Sequence, residues 1–212
     1  GLLGLTAITS LKDNVYFGSV TLNNPRENHY VWGLWPKTKI KGHCEEGNFY
    51  TFGLFSGENN VGDNSIVGGN ISGYGLLAGV NKVRNNSTIT GNMGAYSLLI
   101  GVNDVGNDST ITGNMGTYSL IVGANNIWDN SKFFGNMSGY GLLAGVNDVG
   151  NDSTITGNMG AYSLFFGVNV VDNNSTITGN IESRGLVAIS PIGNGFGVSS
   201  TKGLENFVVK KQ

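Results

Sequence analysis

Nucleophiles, general bases and metal ligands are scarce in this chain, and they gather near one end. The histidines are His29 and His43, and the single cysteine is Cys44, followed by Glu45 and Glu46. His43-Cys44-Glu45-Glu46 has the donor atoms of a metal site or an activated thiol. Zinc sites join such a run to a second ligand pair at fixed spacing, and none occurs here. The sequence therefore assigns no catalytic residue, no cofactor-binding residue and no metal site, and the chain is expected not to be an enzyme. Gly73-Tyr74-Gly75-Leu76-Leu77-Ala78 and the equivalent run from Gly139 to Ala144 match a loose dinucleotide fingerprint, but no helix pattern follows either one. The acidic corners Asp63-Asn64, Asn107-Asp108 and Asn151-Asp152 offer oxygens to Ca²⁺. Asp alternates with Asn between copies, as turn residues do. Asn-x-Ser sequons stand at Asn70, Asn85, Asn107, Asn136, Asn151 and Asn173, and a repeat rich in Asn and Ser produces them by composition alone.

The elements that would position any site come from a repeat. Asn48, Asn70, Asn92, Asn114, Asn136, Asn158 and Asn180 stand 22 residues apart. With Ser87 as position 1, one copy reads STITGNMGAYSLLIGVNDVGND, to Asp108. Gly recurs at position 5, an aromatic at 10, Leu at 12 and Asn at 6 and 17. A helical hairpin repeat needs more than about 30 residues, and Gly at this density costs a helix about 1 kcal/mol per site. Two strands per turn fit better: Ser-Thr-Ile-Thr, and Tyr-Ser-Leu-Leu-Ile-Gly-Val. The links GNMGA and NDVGND hold residues that tolerate positive φ. The fold class is therefore all-β, a parallel β-solenoid of 22-residue coils with non-repeat caps. Positions 3, 7, 12, 14, 16 and 19 are expected to fill the interior. The Asn columns at 6 (Asn70, Asn92, Asn114, Asn136, Asn158, Asn180) and 17 are expected to form amide ladders at the corners. A weaker 11-residue half-period maps Ile89 onto Ile100 and Asn92 onto Asn103, which predicts two similar half-turns. The expected division is 1–47 as an N-terminal cap with a degenerate coil, 48–190 as the solenoid, and 191–212 as a C-terminal cap or tail. Trp32-Gly33-Leu34-Trp35 echoes Phe52-Gly53-Leu54-Phe55 at a shift of 20.

Two columns stand out as candidate surfaces. Position 13 is apolar in every copy, including Leu77, Leu99, Ile121, Leu143 and Phe165. Positions 12, 13 and 14 cannot all point inward in a strand of period two. Position 13 is then either a corner turned inward or an external stripe for association with another chain. Thr88, Thr90, Thr110, Thr112, Thr154, Thr156, Thr176 and Thr178 flank inward isoleucines, so they form either ordinary β-branched surface or a flat binding face. Lys132 and Phe134 interrupt the array.

Composition narrows the function classes. The 212 residues include 35 Gly and 29 Asn, 12% are charged, and the net charge is −2. No global field exists to attract nucleic acid. No apolar run approaches the roughly 20 residues of a membrane span. One cysteine cannot form an internal disulfide framework. The start, Gly1-Leu2-Leu3-Gly4-Leu5, reads as a processed form or a fragment.

The 22-residue period, two strands per turn and Asn columns over 48–190 resemble the curli type of bacterial functional amyloid. That resemblance implies solenoid architecture and fibre formation, although Gln, which that family's repeats carry in paired columns, occurs here only at Gln212. The runs Asn107–Asn114 and Asn151–Asn158 are similar to coils of grass ice-binding proteins, and the Thr-x-Thr pairs to insect ice-binding solenoids. The expected function is a secreted or cell-surface structural protein that self-associates into a fibre or matrix. The alternatives are ice binding through the threonine face, or an adhesin or phage-fibre segment presented to carbohydrate. The chain itself is the expected partner, with ice or carbohydrate as surface ligand.

Overall fold

The Gly- and Asn-rich corners return the chain once every 22 residues, and each strand then pairs in parallel with its own copy. In this computed structural model, which describes residues 9–11, 15–189 and 197–201, Asn81 lies beside Asn103, Asn103 beside Asn125 and Asn125 beside Asn147. Met93, Met115, Met137 and Met159 align in the same way. The fold is an all-β parallel solenoid with two sheets and, among the described residues, no helix. Adjacent coils rise by about 4.8 Å, the spacing of hydrogen-bonded strands.

In the coil that starts at Ser87, Thr88–Ile89 and Met93–Ser97 lie on one face and Ile100–Val105 on the other. The two rows of the first face belong to one seventeen-stranded sheet, because Thr176–Arg184 runs through both. The second face is a nine-stranded sheet. The segment expected as the link GNMGA thus contains a strand, and its bend is confined to Gly91-Asn92. The segment Tyr-Ser-Leu-Leu-Ile-Gly-Val is not one strand. It turns at positions 12 and 13.

Three corner devices hold the coils in register. Position 22 (Asn64, Asn86, Asp108, Asn130, Asp152, Asn174) adopts left-handed backbone with φ between 55° and 57°, a conformation that Asn and Asp tolerate. Position 21 accepts the backbone N–H of the next coil through a side-chain oxygen. Asp63 Oδ1 receives Asn85 N at 3.1 Å, Asn85 Oδ1 receives Asn107 N at 2.9 Å, and Asp129 Oδ1 receives Asn151 N at 2.7 Å. Only an oxygen is required, which explains why Asp and Asn interchange there. At position 6, Asn70, Asn92, Asn114, Asn136 and Asn158 each accept the backbone N–H of the next Asn, at 2.8–3.1 Å.

The core runs the length of the rod. Positions 3, 7 and 19 fill it, with Phe49, Phe133, Ile111, Met115 and Met137 fully buried. Parallel pairing also continues through residues 15–47. Val15–Phe17, His29–Gly33 and Phe49–Gly53 stack in parallel, as do Val20–Asn23, Lys37–Lys41 and Ser56–Val61. Trp32 lies beside Phe52, with ring centroids 4.3 Å apart. Thr9–Leu11 pairs antiparallel with Val15–Phe17. At the other end Val187–Ile189 and Gly197–Thr201 extend the two sheets. The strand expected at Phe207-Val208-Val209 and the charged end Lys210-Lys211-Gln212 lie outside the described residues.

The half-turn symmetry does not hold. Ile89 is 0% exposed whereas Ile100 is 45% exposed, and Asn92 is exposed whereas Asn103 is buried. The bend at positions 5–6 and the turn at 12–13 differ in geometry, so equal residue types 11 apart face opposite ways.

Candidate functional site

The most distinctive external feature follows from a taper in the coil. Position 15 is Gly in six successive coils, from Gly57 to Gly167, and opposite it stands a small residue at position 9 such as Ala95, Thr117 or Gly139. A Cβ on Gly145 would lie 2.3 Å from the Gly139 carbonyl oxygen, and one on Gly57 2.3 Å from that of Thr51. The sheets are too close there to admit a side chain. Large residues in the adjoining turn must therefore point outward.

They do so along the whole edge. Position 12 (Leu54, Leu76, Leu98, Leu120, Leu142, Leu164) is exposed, contrary to its expected place in the core. Of the position-13 stripe, Leu77, Leu143 and Phe165 are exposed and Leu99 and Ile121 half-buried. Position 14 also faces out, with Ile100 and Phe166 exposed, and position 16 (Val80, Val102, Val146) is half-buried on the outer face. The hydrophobic pattern predicts both positions inside, and the structure corrects it. The edge backbone is continuous: Leu98 N donates to Leu76 O at 3.0 Å, Leu120 N to Leu98 O at 2.9 Å and Leu142 N to Leu120 O at 2.7 Å. Beside it runs the position-10 column, in which Phe52, Tyr74, Tyr96, Tyr118, Tyr140 and Tyr162 stack at centroid distances of 4.7–5.3 Å. Seven coils make this apolar band roughly 34 Å long and about 20 Å wide, near 700 Å². Patches beyond a few hundred Å² mark interaction sites.

The inward Asn column is the other feature that sequence reasoning misplaced. Position 17 lies within the core, not at a corner. Asn59, Asn81, Asn103, Asn125, Asn147 and Asn169 are 0% exposed, and from Asn59 to Asn147 each Nδ2 donates to the next Oδ1 at 2.8–2.9 Å. From Asn81 onward the second proton goes across to a position-8 carbonyl, as from Asn125 to Ser138 O at 2.9 Å. The available signal was the alternation of Gly at position 15, Asn at 17 and a β-branched residue at 19, as in Gly101, Asn103 and Val105. It puts Asn on the face of the core valine.

Thr88, Thr90, Thr110, Thr112, Thr154, Thr156, Thr176 and Thr178 are half-buried or exposed and flank the buried Ile89, Ile111, Ile155 and Ile177. Thr110 pairs with Lys132 and Thr112 with Phe134, so the break divides the threonine face into two pairs of coils.

The chemistry-bearing residues do not converge. Cys44 is buried beside Val67, its Sγ donating to Glu46 O at 3.2 Å, and burial pushes the thiol pKa up. His43 points outward near Glu45, 3.6 Å away. Among the described residues no group of three metal-ligating side chains occurs, and no helix is long and apolar enough to cross a membrane. His29 is 6% exposed between Tyr16 and Phe49, with ring centroids 5.7 and 5.5 Å away. Neither of its nitrogens has a hydrogen-bond partner. Burial lowers its pKa, opposed by the charge of Glu27. The unfolded chain then takes up a proton near pH 6.5 that the folded chain resists, so stability falls as pH drops from about 6.5 through the lowered value. His29→Phe extends the Phe49 column and is expected to reduce that acid loss. Thermal unfolding at pH 7 and pH 5 checks this, and an unchanged pH dependence would refute it.

No family model, no curated protein and no solved structure matches this chain.

Proposed function

We propose that the chain is a non-catalytic structural subunit, secreted or displayed at a cell surface, that associates side to side into a fibre or matrix. The observation that supports this reading is the continuous apolar edge of positions 12, 13 and 14. Two such bands face to face would bury about 1,400 Å² in total, within the range of specific interfaces. A second copy is the natural occupant. Its edge has the same 22-residue, one-coil repeat, so ridges of leucine meet matching grooves in register. Lateral contact is favoured over axial stacking, because antiparallel Thr9–Leu11 lies along the outer strand of the first sheet and offers no parallel continuation there. The threonine face, divided at Lys132 and Phe134, is a smaller regular surface than the edge. Sedimentation and electron microscopy of the purified chain test the proposal. Concentration-dependent side-by-side assemblies are expected, and a strict monomer at high concentration would end it.

A further inference from the structure

The outer face of the second sheet carries a groove of about 920 Å³ where the repeat departs from its own pattern. Position 20 is Gly in Gly62, Gly106 and Gly150, and the coils that alternate with them in the same hydrogen-bonded column carry Lys41, Arg84, Trp128 and Asp172, of which the first three line the groove. Three coils close with no side chain at this position, so the solenoid does not require one there. Trp128 is 54% exposed, yet it is held: its Nε1 donates to Asp104 Oδ1, one coil back, at 2.7 Å. The indole therefore presents a fixed apolar plane at one end of the groove.

The rest of the groove is cationic. Five cations and three carboxylates line it, a local balance of +2 in a chain of net charge −2. Glu58 is occupied by Lys37 at 2.9 Å and Lys82 at 3.5 Å. Burial raises its pKa, but these cations and the Asn60 amide outweigh that and hold the carboxyl ionised below its usual range. Lys39, Lys41 and Arg84 make no ion pair among the described residues. Lys41 and Arg84 stand two coils apart, as do Arg84 and Trp128, and two coils measure about 9.6 Å. That is close to the repeat of an extended disaccharide. Along a duplex strand phosphates recur about every 3.4 Å of axis, a much shorter step. A pyranose ring offers an apolar C–H face to an indole, and a carboxylate or sulfate on alternate sugars matches cations on alternate coils.

We propose that this groove binds an acidic polysaccharide along the rod axis, with one anionic group per disaccharide and a sugar face stacked on Trp128. The site lies beside the apolar edge, not on it, and does not depend on self-association. The test is titration of the full chain with hyaluronan octasaccharide, read by Trp fluorescence and calorimetry. Chondroitin sulfate separates sulfate from carboxylate preference. A neutral chitin oligosaccharide and single-stranded DNA complete the set. Saturable binding of either acidic glycan is expected. It should weaken at least about tenfold in Trp128→Ala and in Arg84→Gln, as when an anchor side chain is removed. The expected results also include weak or no binding of the neutral oligosaccharide. Both substitutions lie on the outer face, and unchanged thermal unfolding would show that the rod is intact. Absence of binding to either acidic glycan, binding insensitive to both substitutions, equal binding of the neutral oligosaccharide, or tighter binding of DNA would each overturn the proposal.

Discussion

Asn125→Ala is expected to cost about 3–5 kcal/mol of unfolding free energy, an effect on the scale of a deleted core leucine. Asn125 Oδ1 accepts Asn103 Nδ2 at 2.9 Å, and Asn125 Nδ2 donates to Asn147 Oδ1 at 2.8 Å and to Ser138 O at 2.9 Å. Its removal leaves the buried Asn147 oxygen and the half-buried Ser138 carbonyl without these donors. Each such group costs about 1–3 kcal/mol. A small cavity adds to the loss. Asn114 is the matched control. It belongs to the exposed ladder, where its Oδ1 accepts Asn136 N at 3.0 Å and water can take over. Asn114→Ala should cost no more than about 1 kcal/mol. Urea unfolding of the two variants gives the comparison, and equal midpoints would show that the inward ladder contributes no more than the corner one.

Gly145→Val should be nearly as severe, for a steric reason. A Cβ there meets the Gly139 carbonyl oxygen at 2.3 Å and that of Tyr162 at 2.7 Å. Both atoms belong to backbone, one across the coil and one in the next coil, so neither can rotate aside. The sheets must separate locally. Overpacking costs typically about 1–3 kcal/mol and sometimes more, and the backbone contact places this case at the upper end. At Gly62 the nearest atom to an added Cβ is Lys41 Cγ at 3.4 Å, the middle of a flexible side chain. Gly62→Ala should therefore stay within about 0.5 kcal/mol. Thermal unfolding separates the two glycines, and a tolerant Gly145 would contradict the taper that turns the leucines outward.

The period is legible in the sequence because every coil must present the same corners. Asn70 to Asn180 and the inward columns at 3, 7 and 19 follow from spacing alone. The facing of positions 12, 14 and 16 is not legible from hydrophobicity. Leu98, Ile100 and Val102 look like core residues, and only the steric bar set by Gly at position 15 keeps them out. Asn103 shows the reverse case. A polar residue normally marks a corner, but a column of identical amides satisfies itself inside the core. Position 13 stands out as a candidate stripe because three consecutive apolar residues exceed what one strand face can bury. The groove is visible in the sequence only as breaks in a glycine column, and those become a site once the coils are stacked and Trp128 is seen to reach Asp104.

The apolar edge is the surface proposed to join one copy to another. The most direct test of this contact is sedimentation of the chain and of Leu98→Glu/Leu120→Glu/Leu142→Glu over the same concentration range. These three side chains are each close to half exposed and make no core contact that the substitution removes. Concentration-dependent assembly of the parent is expected, together with a monomeric variant of unchanged strand content and melting temperature. A parent that remains monomeric, or a variant that assembles equally well, would contradict the proposal.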